Sequence, residues 1–409
     1  MPEIPRLAVF QNKSMFPIFD LVEASSGLCR IVWVVGWNED APPRILSRLG
    51  EVADVTGLDD NAVIEKLRGF QLNGIVVFSD AAILLASVVA EGLGLKFHSQ
   101  RTSMILSDKL LQRQALANAN VPGPDFTGVN LNNFLSAKIP YQAVLKQRSG
   151  TGGRDTFLVR SIEDVSDALH RCAPSEEFIL EEWLPDKSNA QQLFSDVVSV
   201  ESVARDGKYS HVMVSGRLPY APPFRDTGGF VPSDLNLCDW ESACELASAA
   251  ARAVGIRDGV IHTEMKMTPD GPRVVEVNGR TGGVIPGLIE RIGGPSLVAW
   301  AMKLALGEEV GDWPQNADSR VAYFHFVVAP EGATGVESVT GVSELSALKD
   351  ELGIDRMEFN LRPGDALSIQ QSSFNTHLLR VDGAAVSHEE LAQTIATIDE
   401  ILKVTWSYD

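Results

Sequence analysis

The chain has 409 residues, enough for two to four packed units. A formal net charge of −19 argues against a nucleic-acid backbone as partner, because phosphate contacts need a basic face, though a nucleotide ligand needs only a local basic pocket. A hydrophobic share of 44%, a mean hydropathy of +0.02 and no apolar run of membrane-spanning length argue against a helical membrane protein.

Met1 to Arg6 has neither a basic n-region nor an apolar h-region, so no secretory signal is expected. Cys29, Cys172, Cys238 and Cys244 are scattered without a C-x-x-C pair, which supports neither a zinc site nor a disulfide framework. Reduced, buried cysteines and a cytoplasmic location follow as expectations.

Residues 6–100 read as an α/β unit. Leu7–Phe10, Ile31–Val35 and Gly74–Phe78 are short apolar runs of the kind found in parallel strands buried on both faces. Helices are expected at Asn61–Phe70 and Ala81–Leu93, with a further strand at Leu95–Phe97. No G-x-G-x-x-G follows the first strand, so the unit reads as one wall of a cleft rather than a dinucleotide site.

Ser107–Asn118 is expected to be helical, with Ser107 as N-cap and Val121-Pro122-Gly123-Pro124 ending it. Lys109 falls in the first turn, where a cation opposes the helix dipole and a bound anion would reverse that penalty. Strand Gln142–Arg148, a glycine-rich loop Ser149-Gly150-Thr151-Gly152-Gly153-Arg154 and strand Asp155–Val159 follow. The loop lacks a G-K-[ST] ending, so it is not a P-loop. A hairpin of Gly and Ser can instead close over phosphates with its N–H groups, with Lys146 beneath it.

Ser161-Ile162-Glu163-Asp164 opens a helix as a capping box. Phe178–Pro185 is an apolar strand that turns acidic at Glu181-Glu182 and stops at Pro185, exposing the backbone groups an adenine edge would need. A polar loop, Asp186–Gln192, precedes strands at Val197–Val203 and Tyr209–Gly216. Arg217–Pro232 carries too much Pro and Gly for regular structure and too many apolar residues for a linker, so it is expected to pack over a site. A helix spans about Cys238 to Val254 and closes at Gly255.

Next comes His262–Gly283, two short strands joined by Pro269-Asp270-Gly271. A three-residue loop sets Thr268 opposite Pro272, Glu264 opposite Glu276 and His262 opposite Asn278. Glu264, Glu276, Asn278 and Arg280 then share one face, with Val275 and Val277 on the other. Opposed carboxylates persist only if one is protonated or a cation lies between them. With an Asn oxygen beside them and no Cys, a hard ion such as Mg²⁺ or Mn²⁺ suits the set. The plain alternative is an acidic, solvent-facing hairpin. Arg280 adds a fork for phosphate or carboxylate.

A helix at Ser296–Leu306 is followed, from residue 319, by a small α+β lobe. Its strands are expected at Val321–Val328, Ala366–Gln370 and Leu378–Val381. A final helix is capped by Ser387 and Glu390, with Leu391, Ile395, Ile398 and Leu402 on one face.

The order of these motifs resembles the ATP-grasp superfamily. His262-Thr263-Glu264 and Gly271-Pro272-Arg273-Val274-Val275-Glu276-Val277-Asn278-Gly279-Arg280-Thr281-Gly282-Gly283, with the Arg217-Leu218-Pro219 loop before them, are most similar to carboxylate–amine ligases of the L-amino acid ligase group. The resemblance implies a multidomain α/β and α+β architecture. Residues 1–105 would form a pre-ATP-grasp α/β domain, 106–185 the small lobe, 186–318 the large lobe and 319–409 the C-terminal lobe.

It implies ATP as cosubstrate with Mg²⁺ or Mn²⁺ on Glu264, Glu276 and Asn278. Lys109 and Lys146 match the family's nucleotide-binding lysines, and Ser149 to Gly153, with Gly150 and Gly152, match its phosphate lid. Glu181, Glu182 and Leu184 match the adenine hinge. Arg280 matches the arginine beside the transferred phosphoryl group, and Arg217 a basic residue near the acyl phosphate. The ribose ligand departs from the pattern, and Asp196 and Glu201 compete for it. His262 is a candidate to orient a ligand or take a proton, against the plain reading of a satisfied core histidine.

The implied activity joins an amino-acid carboxylate to an amine through an acyl phosphate, releasing ADP and phosphate. Small amino acids or short peptides would be the partners, with no nucleic acid and no membrane, and homodimer formation stays open. The rival readings are ligation of a side-chain (γ-glutamyl) or peptide carboxylate, and a catalytically silent ATP-binding regulator.

Overall fold

The computed structural model describes residues 4–11, 16–38, 44–137, 142–150, 153, 155–173, 176–187, 193–222, 224–311, 319–367 and 377–408. The first sheet is parallel, in the order β3-β2-β1-β4: β1 (Arg6–Phe10), β2 (Arg30–Val35), β3 (Glu51–Asp54) and β4 (Gly74–Val76). Helices Asp60–Arg68 and Ile83–Leu93 bury Val32 and Val34 on one face. Helices Ile18–Ser25 and Leu297–Ala305 bury Trp33 and Val35 on the other. Burial on both sides is why the central strands read as unbroken apolar runs. β3 escaped sequence reading because, as an edge strand, it needs only one inward side chain, Ala53. Leu95–Phe97 is not a strand but a link into the helix Gln100–Ser107.

The second sheet is antiparallel: β5 (Phe126–Val129), β6 (Ala143–Gln147), β7 (Thr156–Val159) and β8 (Phe178–Glu182), in the order β5-β8-β6-β7. The helix Lys109–Asn118 precedes it, capped by Asp108, whose carboxylate accepts from the N–H groups of Leu110 and Leu111. Ser107 ends the preceding helix, and its hydroxyl donates to Ser103 O, so the expected cap lies one residue too early. Ser161 and Asp164 form the expected capping box.

The central sheet has eight strands, in the order β13-β12-β9-β10-β11-β14-β17-β16. Its members are β9 (Ser195–Arg205), β10 (Lys208–Arg217), β11 (Gly228–Val231), β12 (Gly259–Thr268), β13 (Gly271–Asn278), β14 (Val321–Val328), β16 (Ile354–Phe359) and β17 (His377–Ala385). A separate pair joins β15 (Gly335–Thr340) to β18 (Lys403–Ser407). The helix Leu237–Val254 covers one face over Val198, Val200, Met265, Val274 and Val277. Part of Arg217–Pro232 is regular after all, since β11 pairs with β10 and β14. β14, β17 and β16 extend the same sheet beyond β11. Within Ala366–Gln370, Ala366 forms a bridge to Gly335, and 368–370 lie outside the described residues. The final helix, His388–Ile401, is capped by Ser387 as expected.

The β12–β13 hairpin reaches the expected register by another route. Thr268 faces Gly271, a tighter closure than expected, and Met265 faces Val274. Val275 is then an extra residue, and this bulge restores Glu264 opposite Glu276 and His262 opposite Asn278. Consequently Val274, not Val275, joins Val277 in the core.

Candidate active site

β13 is a sheet edge, and the helix Lys109–Asn118 covers it. Gln112 donates through Nε2 to Val277 O (2.9 Å) and accepts through Oε1 from Val277 N–H (2.8 Å). Arg113 donates to Val275 O, and Val274 N–H donates to Pro122 O (2.9 Å). These bonds satisfy backbone groups of a strand with no neighbour on that side. They also place the first turn of the helix over the carboxylates.

Lys109 lies where three elements meet. Its Nζ donates to Gly150 O at the root of the glycine loop (2.8 Å) and lies 2.7 Å from Glu276 Oε1. Burial opposes its charge, but Glu276 outweighs that and holds its pKa above the ordinary value. Ser149 Oγ donates to Ser107 O (3.2 Å), anchoring the loop's near end. Gly153 sits beside Phe224 O, while Gly152 lies outside the described residues.

Glu264 and Glu276 are half-buried and face each other across the hairpin. Side-chain cations meet them from opposite sides: Lys109 reaches Glu276, and His262 Nε2 (3.1 Å) and Arg217 Nη2 (3.7 Å) reach Glu264 Oε1. Burial would raise the Glu264 pKa; the hydrogen bond and charge of His262, with Arg217 and Arg280, outweigh it and hold the carboxyl below its usual range. Behind His262, Nδ1 meets Glu201, which is 0% exposed and also accepts from Gly282 N–H (3.4 Å). A side chain at Gly282 would sit 2.7 Å from His262 Nδ1 and 2.8 Å from Glu201 Oε1, so only glycine fits this approach.

Glu201, one of the two ribose candidates, is sealed beneath His262 and has no exposed surface. Asp196, also buried, accepts from Lys187 N–H (2.8 Å) just past the hinge, so the two candidates lie in different places.

Glu181 is likewise not at an accessible edge. Its Oε2 lies 2.7 Å from Lys146 Nζ and its Oε1 2.8 Å from Arg113 Nε, with all three side chains largely buried. The Arg113 contact is close enough for charge but out of line for a hydrogen bond. Burial lowers the Lys146 pKa, with Glu181 opposing the fall. Glu182 Oε2 accepts from Asp125 N–H (3.2 Å) and Arg273 Nη1 (3.2 Å), and its backbone is already in the ladder. Leu184 lies just beyond the ladder, and its N–H has no partner among the described residues. The hinge's available backbone therefore starts after the two glutamates.

Arg217 ends β10 and is buried, with Nη1 3.3 Å from Asp226 Oδ2 and Nη2 3.4 Å from Ser199 Oγ. Its Nε has no hydrogen-bond partner. At the tip of the loop it begins, Phe224 packs against Trp183 of the hinge (ring centroids 6.0 Å), and Lys266 lies over the same indole at 5.0 Å. Arg280 turns toward the first sheet, where Asp80 accepts from its Nε (3.0 Å) and also from Nη2.

Asp80, Arg113, Gln112 and Asp226 were not singled out in the sequence. Only Asp80 left a signal there: it follows the carboxyl end of a parallel strand, where such sheets bind ligands.

The donor set can be tested for a metal. Glu264, Glu276 and the Asn278 amide offer hard oxygens and no thiolate, a set that fits Mg²⁺ or Mn²⁺. Among the described residues no three His, Cys, Asp or Glu side chains group as a cation cage, and the third oxygen here is an amide. The four cysteines are free, and no described helix is long and apolar enough to cross a membrane.

Comparison with known proteins finds a matching domain and a shared fold. Residues 106–284 match the ATP-grasp_3 model, an ATP-grasp domain. An uncharacterized protein, y4rH, of Sinorhizobium fredii is 23% identical over 329 residues, covering 77% of this chain and 65% of that protein. Dapdiamide A synthase of Enterobacter agglomerans is 22% identical over 363 residues, covering 83% and 81%. The crystal structure of an L-amino acid ligase from Bacillus licheniformis superposes with a TM-score of 0.77 at 18% identity, over 98% of this chain and 99% of that one. The chain spans just under two thirds of y4rH, and no more than 29% of the carnosine synthases it also matches. This chain carries an ATP-grasp domain within an ATP-grasp fold.

Proposed function

We propose that the chain is an ATP-dependent carboxylate–amine ligase that joins an amino-acid carboxylate to an amine through an acyl phosphate, giving ADP and phosphate. The observation that carries this reading is the approach of Lys109 and Arg217 to the opposed pair Glu276 and Glu264, with Arg280 Nη2 3.5 Å from Asn278 Oδ1 beside them. The likeness to a dapdiamide A synthase and to an L-amino acid ligase supports the substrate class.

A carboxylate does not react with an amine at neutral pH, since oxide would have to leave. Phosphorylation turns that oxygen into a leaving group. Lys109 binds the phosphates, the loop Ser149–Gly153 covers them, and Lys146, aimed by Glu181, meets the nucleotide nearer the adenine. The backbone beyond Glu182, at Leu184, meets the adenine edge, and Asp196 meets the ribose. Glu264, Glu276 and Asn278 hold Mg²⁺ or Mn²⁺, which supplies charge neutralisation for phosphoryl transfer. Arg280 holds the transferring phosphoryl oxygens. His262, braced by Glu201, keeps Glu264 in place. The amine's attack on the acyl carbon develops an oxyanion, which the Arg217 guanidinium, beside Glu264, stabilises. The amine's proton passes to the departing phosphate, which carries away the carboxylate oxygen that had taken up the phosphoryl group.

The test is turnover with ATP, Mg²⁺ and pooled amino acids, one omitted at a time, read as phosphate and product mass. Loss of product on omitting one or two amino acids identifies the substrates. AMP in place of ADP would sink the acyl-phosphate route. Silence from every pool moves the substrate to a peptide or an unusual acid.

A further inference from the structure

We propose that Asp80 is a positioning residue for this reaction: it reaches out of the first α/β sheet and aims the Arg280 guanidinium. The inference rests on the proposed role of Arg280 at the transferring phosphoryl group.

Asp80 lies just past the carboxyl end of β4 and opens the helical stretch leading into Ile83–Leu93. Its Oδ2 accepts from Arg280 Nε at 3.0 Å and from Nη2, across 200 residues of sequence. Both side chains are mostly buried, at 15% and 18% exposure, so water competes weakly for the pair. Arg280 Nη1 also donates to Thr281 O (2.9 Å), and Nη2 approaches Asn278 Oδ1 at 3.5 Å. A guanidinium has five N–H groups. Among the described residues these contacts engage four, leaving one on Nη1 for a ligand.

Arg280 has several rotatable bonds, and catalysis by a cation depends on holding it where charge develops. Its own neighbours, Thr281 and Asn278, offer one carbonyl and one long contact. The two-point grip comes from Asp80 alone. A separate contact fastens the same unit to the hairpin: His98 Nε2 meets Gly279 O at 2.9 Å. Gly279 allows this approach because a Cβ there would lie 2.6 Å from that nitrogen. His98 thus gives the two units a contact that does not involve Asp80.

Aluminium fluoride, which mimics a transferring phosphoryl group, should tighten the full chain's binding of Mg·ADP at least ~tenfold. Asp80→Ala is expected to lose most of that gain and to lower the melting temperature, since the buried Arg280 loses its counterion, while Kd for Mg·ADP alone stays within about twofold and circular dichroism stays that of the folded chain. Asp80→Glu should recover part of it. In an Arg280→Ala background, Asp80→Ala should cost less than about twofold more, because its target is gone. Full retention of the gain in Asp80→Ala, or an independent loss in the Arg280→Ala background, overturns the proposal. If the wild-type chain gains nothing from aluminium fluoride, the reading of the site itself falls, and this inference with it.

Discussion

Replacing Glu181 with Gln separates two accounts of the hinge. The sequence pattern puts this residue at an adenine edge, whereas the structure buries it between Arg113 and Lys146. At 2.7 Å, the Lys146–Glu181 attraction is about 6 kcal/mol with an effective dielectric of 20. Desolvation already offsets part of that, and the empirical loss on breaking a buried pair from one side is ~3–5 kcal/mol. The amide retains the shape but leaves two cations facing a neutral group. Lys146, whose pKa burial already lowers, would be pushed down further.

Urea unfolding of Glu181→Gln should therefore show a loss of ~3–5 kcal/mol. Calorimetric titration with Mg·ATP should show at least ~tenfold weaker binding. Adding Lys146→Met should recover part of the stability, since it removes one uncompensated charge, but none of the affinity. A Glu181→Gln protein within ~0.5 kcal/mol of wild type, and equally tight for ATP, would refute the buried-counterion account.

Three further outcomes are expected. Glu276→Gln should abolish ADP and phosphate release with amino-acid pools while circular dichroism and melting stay near wild type; full turnover would remove it from the metal set. Gly282→Ala should cost ~1–3 kcal/mol in unfolding experiments, because its Cβ must displace His262 Nδ1 or Glu201 Oε1, 2.7 and 2.8 Å away. His98 is one pH-sensitive contact. Burial depresses its pKa below 6.5, so the unfolded chain binds the extra proton first. Its contribution is complete above pH ~6.5 and falls away as the pH drops toward the folded value. In melting curves across that window, His98→Gln should flatten the acid-side loss, and an unchanged slope would count against His98 as the titrating group.

Much of this protein was legible one stretch at a time. Parallel strands buried on both faces leave unbroken apolar runs, so β1, β2 and β4 were visible; the capping box at Ser161 and the glycine stop at Gly255 are equally local. At the hairpin 262–283, side-chain alternation put Glu264, Glu276 and Asn278 on one face, and an assumed three-residue loop set Glu264 opposite Glu276, as found. What the pattern could not supply was the route. A tighter turn and a bulge at Val275 cancel each other, and that choice is made by Val274 packing into the core.

The carboxylates divide along the same line. A sequence shows which glutamates lie near a motif, but not which are sealed. Glu181 and Glu201 have the same chemistry as Glu276, yet they are only 4% and 0% exposed. Burial sets them against Lys146 and His262 rather than at an exposed surface. Asp80 is the reverse case, 200 positions from Arg280 and bonded to it only because two separate sheets meet there. Local order follows from backbone geometry and side-chain periodicity, which neighbouring residues fix. Solvent access and long-range charge pairing depend on how the sheets pack, and only the folded chain decides them.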